Sequence, residues 1–293
     1  MDLPSAPSTP SFVTRFRQSR SWQRFARNRL AVGAAFGLVS LFLLIVIGPI
    51  LSPYSPNEGE LIRSLDPPSM AHLLGTDANG RDLMTRILHG GRVSMAVGLV
   101  SVLVSLTLGS LVGALSGFYG GWMDIILMRI TEAVLSLPTF FLVLAVLAVF
   151  PGGTAVAIVI GLTSWMPIAK VVRGEFLRWK SVEFVDAAHV IGANDWRIIT
   201  QHILPQATPA MIVSATLGVA FAILTESAIS YLGLGIQPPT PTWGNMLLEA
   251  QQYVWQNPWL AVYPGLMILV TVICFNAVGD GLRDALDPRM SDR

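Results

Sequence analysis

Six stretches of this chain stay apolar for roughly the twenty residues that a bilayer-crossing helix needs at about 1.5 Å rise per residue. They fall at roughly 30–51, 93–118, 122–150, 154–172, 206–232 and 259–279. Between the fourth and fifth the pattern changes. EFVDAAHVIGANDWRIITQHILP (183–205) carries three acids, one Arg, two His and an Asn. Phe184, Ala187, Ala188 and Ile191 recur at helical spacing before Gly192. After it Trp196, Ile199 and Ile203 do the same, with Asn194 placed as an N-cap and Pro205 beyond the last turn. The pattern predicts an all-α polytopic membrane protein whose 173–205 loop holds two short amphipathic helices joined at a glycine.

Composition agrees. Of 293 residues 53% are hydrophobic and only 13% charged, with a mean hydropathy of +0.60; soluble domains hold about 25% charged residues. A net charge of +1 gives no electrostatic footprint for nucleic acid. The lone Cys274 excludes an intrachain disulfide, and His72, His89, His189 and His202 form no i,i+3 or i,i+4 pair. Neither a metal site nor a nucleophile–base arrangement is predicted, so the chain does not read as an enzyme.

The Pro- and Ser-rich start (1–11) reads as disordered. RFRQSRSWQRFARNR follows, with six Arg, and leads into the first apolar run, which is longer than a signal-peptide core and lacks a small-x-small cleavage site. It reads as a retained span. With the N-terminus inside, fifteen of the nineteen Lys and Arg fall on the inner side, leaving Arg63, Arg81, Arg86 and Arg92 outside, the bias of cytoplasmic loops. The expected organisation is a cytoplasmic tail (1–29), a first span (30–51), an extracytoplasmic loop (52–92), a five-span core (93–280) and a cytoplasmic tail (281–293).

Gly109, Gly113 and Gly117 lie four apart, and Gly33 and Gly37 repeat the spacing once, which suits close helix packing within the chain or at a subunit interface. Pro138, Pro167 and Pro264 each remove a hydrogen bond inside a span and can kink it. Arg129 and Glu132 can pair at i,i+3. Glu226 has no partner in the sequence pattern; it is a candidate for lining a pathway, or it hydrogen-bonds to a neighbouring helix.

The helices of 183–205 can lie on the membrane surface or dock in a groove of another protein. Glu183, Asp186 and Asp195 against Arg197 suit an anionic leaflet poorly, which favours docking. DAAHVIGANDWRIITQHILP resembles the EAA loop (E-A-A-x3-G-x9-I-x-L-P) of permease subunits in type I ATP-binding cassette importers. Asp186, Ala187, Ala188, Gly192, Leu204 and Pro205 fall on the pattern, with Asp186 in place of Glu and His202 where an Ile is usual. The resemblance implies that this segment, Glu183 included, seats in a cleft of the ATPase subunit and passes nucleotide-driven motion to six transmembrane helices.

HLLGTDANGRDLMTRILHGGRVSMAVG (72–98), SYLGLGIQPPTPTWGNML (230–247) and FNAVGDGLRDALDPR (275–289) are similar to segments of the dipeptide/oligopeptide/nickel permease branch, in its second permease. The resemblance implies a lipid-embedded heterodimer with a homologous permease, two ATPase subunits and an extracytoplasmic binding protein. It places the loop between the last two spans against the binding protein, with Gln237, Thr240 and Gln251 as candidate contacts. Leu83, Met84, Ile87 and Leu88 form one apolar face while Arg81, Asp82 and Arg86 stay polar, as in an outer helix lying on the membrane or on the partner permease. A further helix can start at Thr242, and Trp243, Trp255 and Trp259 are aromatics expected at a membrane interface. No G-x-x-x-x-G-K-[ST] occurs, so the chain is expected to bind no cofactor and to leave ATP to its partner subunits. The expected function is peptide import; a nickel or nickel-chelate permease and an ATP-independent carrier are the alternatives.

Overall fold

The computed structural model describes residues 20–150 and 152–286. The residues expected to be disordered (1–11), together with Arg15, Arg17, Arg289 and Arg293, lie outside the described residues. Among the described residues the only β-type pairing is an isolated bridge between Thr76 and Asp82. Helix α1 (Arg20–Arg27) leads into α2 (Arg29–Leu51), whose first turn is capped by the Asn28 side chain accepting from the Ala31 N–H at 3.1 Å. After an irregular segment come α3 (Leu83–Tyr119), α4 (Gly121–Leu135), α5 (Thr139–Val149), α6 (Gly153–Thr163), α7 (Met166–Lys180) and α8 (Glu183–Val190). The rest is α9 (Asp195–Tyr231), α10 (Trp243–Ala250) and α11 (Trp259–Leu286).

Helices α2, α3, α9 and α11 are each long and apolar enough to cross a membrane. The remaining two spans are bent pairs, α4 with α5 at 86° and α6 with α7 at 46°. Proline explains both breaks. Pro138 immediately precedes α5 and Pro167 is among the first residues of α7, where a missing N–H costs nothing. Pro264, expected to kink, sits inside an unbroken α11.

The glycine face resolves in favour of packing within the chain. A Cβ at Gly109 would stand 2.7 Å from the Trp165 carbonyl oxygen, one at Gly113 2.5 Å from that of Ala169, and one at Gly117 2.6 Å from the Phe176 Cβ. Side chains there would push α7 off α3. Gly37 approaches the Cys274 Sγ, whereas Gly33 faces open space.

Three expectations are corrected. GRDLMTRILHGG is not a separate surface helix; α3 begins at Leu83 and runs on without a break. Asp82 caps it, accepting from the Thr85 N–H at 2.8 Å, and no proline interrupts it. Gly90 and Gly91 do not end it either: they admit the Thr242 backbone and the side chains of Ile45 and Trp243. Second, Arg81, Asp82 and Arg86 are buried, because Asp77 and Glu249 meet the two arginines and His72 meets Asp82. Third, Trp243 is fully buried rather than at an interface, its Nε1 donating to the Ile87 carbonyl at 3.0 Å. Trp255 and Trp259 are exposed. In addition, α11 continues to Leu286, so no structural break separates the core from the expected tail at 281.

Candidate functional site

The polar insert folds at the end of the bundle where α3 and α7 finish. Val185 and Ala188 of α8 are buried among Phe118, Phe176, Ile198, Ile199 and Ile203. The His189 ring stacks on Phe118 with 6.5 Å between centroids. Helix α8 ends at Val190 and is closed by Gly192 two residues on, whose φ of +84° is left-handed. The Gly192 N–H bonds to the His189 carbonyl at 3.0 Å and the Ala193 N–H to that of Ala188 at 3.0 Å, the paired closure of a left-handed helix cap. Conformation, not space, demands glycine here, since a Cβ at 192 would meet nothing within 4 Å.

The second helix of the insert is not a separate unit. Asn194 caps it, accepting from the Arg197 N–H at 2.9 Å, as expected. It is the first turn of α9, which passes through a wider π-type segment (Ile198–Ile203) into its long α-helical part, with Pro205 in the first turn of that part rather than after a last turn. Pro205 gives this helix no N–H, and it falls directly after the π-type turn, where the regular i→i−4 ladder is already interrupted. The consequence is mechanical: Asp195–Tyr231 is one rod from the insert to the far end of the fifth span.

Among the predicted coupling residues, Glu183, Asp186, Ala187, Gly192 and Pro205 are exposed, Ala188 is buried and Leu204 is half-buried. The apolar face differs from the expected one. Ile191 is 84% and Trp196 71% exposed, and Val190 is exposed beside them, because Val185, Ala188 and Ile198 take the inward positions. Three large apolar side chains at the tip of a polar insert therefore have no cover from this chain.

The base of the insert is anchored by ionic contacts. Arg173 of α7 grips Asp124 of α4, and Ser116 of α3 donates to the same carboxylate. Lys180 Nζ donates to the Phe118 carbonyl, and its ammonium also lies 5.6 Å from the Phe118 ring centre. The expected Arg129–Glu132 pair forms at 3.9 Å, with both side chains mostly exposed.

At the opposite end, α10 starts with the expected cap at Thr242, closed reciprocally by Asn245. Gln237 and Thr240 are exposed in the loop before it and Gln251 is exposed just after it. The Gln237 side chain donates to the Gly233 carbonyl at 2.7 Å, closing its own loop. Glu226 is fully buried; Ser94 donates to it from α3 at 3.1 Å and Ser230 at 2.8 Å. The Trp243 N–H in turn donates to Ser94 at 3.2 Å, so the carboxylate ties α9, α3 and α10 together.

Sequence reasoning missed a buried charge cluster at this end. Asp77 pairs with Arg81 at 2.7 Å, and Glu249 of α10 receives both Arg81 and Arg86, each at 2.8 Å. The Arg86 Nε stands 3.2 Å from Asp77 in a geometry too poor for a hydrogen bond. His72 meets Asp82 at 2.9 Å nearby. Only the local i,i+4 spacing of Asp77 and Arg81 could have signalled any of this; Glu249 lies 168 residues from Arg81.

Comparison with known proteins places these features in context. Residues 109–292 match the family described as binding-protein-dependent transport system inner membrane component, and residues 16–68 match the N-terminal TM domain of oligopeptide transport permease C. The chain is 41% identical over 271 residues to the glutathione transport system permease protein GsiD of Pectobacterium atrosepticum, covering 92% of this chain and 90% of that one. It is 39% identical to the dipeptide transport system permease protein DppC of Bacillus subtilis, covering 92% and 85%. It is 38% identical to the oligopeptide transport system permease protein OppC of Haemophilus influenzae, covering 92% and 88%. Among solved structures, the MetNI methionine ABC transporter in inward-facing conformations aligns with a TM-score of 0.56 at 18% identity, over 70% of this chain and 98% of that one, a likeness of fold.

Proposed function

The chain belongs to the binding-protein-dependent transport system inner membrane components, and from that premise we propose that it carries di- and oligopeptides inward as one permease of an ATP-driven importer. As a multi-pass permease of that family it resides in the bacterial inner membrane and works with ATPase subunits. This sets aside the ATP-independent carrier. Relatives named for dipeptide, oligopeptide and glutathione transport support a peptide cargo over nickel.

The observation that carries the mechanism is the uncovered apolar tip of the insert, Val190 and Ile191 at the end of α8 and Trp196 on α9 itself. In our reading this tip seats in a cleft of an ATPase subunit on the cytoplasmic side, which puts the chain's two ends in the cytoplasm. Closure of two ATPases on ATP displaces the tip, and the rod from Asp195 to Tyr231 carries the displacement across the membrane. A ligand-driven change of this kind requires contacts that differ between the two states, and the tip provides them. Glu183 and Asp186 offer carboxylates to the cleft rim, while Gly192 and Asn194 fix the angle between α8 and α9. A second, homologous permease completes the pathway, and a binding protein delivers cargo to the outer end, touching Gln237, Thr240 and Gln251. Glu226 holds α9 to α3 at the outer end of that pathway. This chain binds no cofactor of its own; ATP is consumed by the ATPase subunits.

The test is uptake by the reconstituted four-chain transporter with its binding protein. Intact protein is expected to accumulate a radiolabelled dipeptide on ATP addition, and an Ile191→Asp, Trp196→Asp variant is expected to lose both uptake and co-purifying ATPase. Retention of the ATPase by that variant would remove the insert from the coupling role.

A further inference from the structure

The chain carries no acid between Asp2 and Glu58, while six arginines fall within 15–29. A like-charge block on an amphipathic stretch marks a membrane-surface or partner-binding element. Within α1, helical spacing sets Gln23, Arg24 and Arg27 on one side and Trp22, Phe25 and Ala26 on the other.

The apolar side is pinned to the bundle. Phe25 is buried with Ala31 of α2 and Ala285 of α11, and Trp22 stacks on it with 6.1 Å between ring centres. A Cβ on Gly281 of α11 would collide with Ala31 and press on the Phe25 ring at 3.3 Å, so glycine is what lets α11 come this close. Asn28, one extended residue, makes the corner between α1 and α2. Its N–H bonds to the Phe25 carbonyl at 3.0 Å and its side chain caps α2. Helix α1 is thus fixed where the first span begins, and Leu30, 73% exposed, already belongs to the apolar run.

The basic side has no such cover. Arg27 and Arg29 are exposed, and among the described residues neither has an ion-pair partner. Asp280 and Asp284, which flank Gly281 and Ala285 on α11, are exposed as well, yet pair with neither arginine. A face kept only for solubility mixes charges of both signs, and this one does not.

We propose that α1 is an in-plane helix that binds the phosphodiester headgroups of anionic phospholipid through Arg27 and Arg29, and that Phe25 fastens the inner end of α11 to that contact. The proposal needs the cytoplasmic placement of α1 given above and is independent of the cargo. A free phosphate offers the same oxygens, but these arginines stand at the first residues of a span, where headgroups are concentrated. Guanidinium matches phosphate through two parallel bonds. The cytoplasmic leaflet is anionic, so each arginine at its surface adds attraction. Trp22 at the same level is an aromatic of the kind found at membrane interfaces. A free interfacial helix buries its apolar face among acyl chains. Here protein takes that face, so lipid charge acts on an element already packed against α2 and α11.

The test reconstitutes the transporter in phosphatidylcholine vesicles containing phosphatidylglycerol and counts the phospholipid retained on gentle extraction by native mass spectrometry. The unsubstituted chain is expected to retain phosphatidylglycerol in preference to phosphatidylcholine. Arg27→Gln with Arg29→Gln is expected to cut that preference about tenfold. Arg27→Lys with Arg29→Lys should keep part of it, because an ammonium holds the charge but not the paired geometry. Arg197→Gln, on the insert, is expected to leave it unchanged. Undiminished preference in the double Gln variant overturns the proposal. Displacement of the lipid by inorganic phosphate alone also overturns it, showing a free-anion site. So does loss of an ATPase subunit from that variant with its lipid preference intact, which would make the face a protein interface. Phe25→Ala is expected to speed amide exchange in both α1 and the last turns of α11; unchanged exchange in α11 would remove the fastening role. Peptide uptake is not read, so failure here leaves the cargo reading standing.

Discussion

Arg173 and Asp124 meet through two parallel bonds, Nε to Oδ1 at 2.6 Å and Nη2 to Oδ2 at 2.7 Å. The pair joins the start of the bent α4–α5 span to the helix that feeds the insert. On the coupling reading proposed above, this is where displacement of α8 would enter the bundle, and without the pair α7 loses its tie to α4.

Replacing Arg173 by Ala is therefore expected to uncouple transport. Because the Arg173 side chain is 34% exposed, solvent screens part of the pair and the stability loss is expected near 1 kcal/mol. Uptake is expected to fall several-fold more than ATP hydrolysis, measured on the same vesicles. The exchanged pair Asp124→Arg, Arg173→Asp should recover part of the lost coupling; equal loss in both activities would mark the contact as merely structural.

Gly192 separates conformation from space. With φ at +84° and nothing within 4 Å of the place a Cβ would occupy, Gly192→Asn is expected to cost little. Gly192→Val is expected to cost about 1–2 kcal/mol through backbone strain alone. Gly192→Pro cannot adopt the angle at all. The order Gly, Asn, Val, Pro in retained ATPase on affinity purification checks this, and a flat series would show that the cap does not set the insert's shape.

Gly113 tests the opposite cause. A methyl group there would press within 2.5 Å of the Ala169 carbonyl, so Gly113→Ala is expected to destabilise by about 1–3 kcal/mol, seen as a lowered unfolding temperature in detergent. Gly174→Ala, also in a helix but facing open space, is expected to stabilise by up to about 1 kcal/mol.

These cases show what could be read from the chain before the fold was known. Spans came from runs of apolar residues, and the glycine face of α3 from a four-residue spacing, because helical neighbours are fixed by period alone. The cap at Thr242 and the one at Asn194 were legible for the same reason. The extent of α3 was not, since the polar Arg81, Asp82 and Arg86 look like a surface in the sequence, and Glu249, which meets both arginines, and His72, which meets Asp82, come together with them only in the fold. The inward face of the insert was misassigned at Ile191 and Trp196 because amphipathic spacing identifies apolar positions but not which of them the rest of the chain covers. Glu226 found Ser94 only through the crossing of α9 and α3, 132 residues apart in sequence.

Glu249 gives the last prediction. Its carboxylate receives Arg81 and Arg86, and the Arg86 side chain is 1% exposed. Glu249→Gln would leave two guanidiniums at this end facing only Asp77. Breaking a buried pair by removing one partner costs about 3–5 kcal/mol, and since the Glu249 side chain is 29% exposed the expected loss is nearer 2. The loss should appear as a lower unfolding temperature together with detachment of α10 from α3, read as faster amide exchange across Trp243–Ala250. Adding Arg81→Gln to Glu249→Gln removes the surplus positive charge and is expected to recover part of the stability, because the cost arises from an uncompensated buried cation rather than from a missing contact. Strictly additive effects of the two substitutions would show that Arg81 and Glu249 are not energetically coupled.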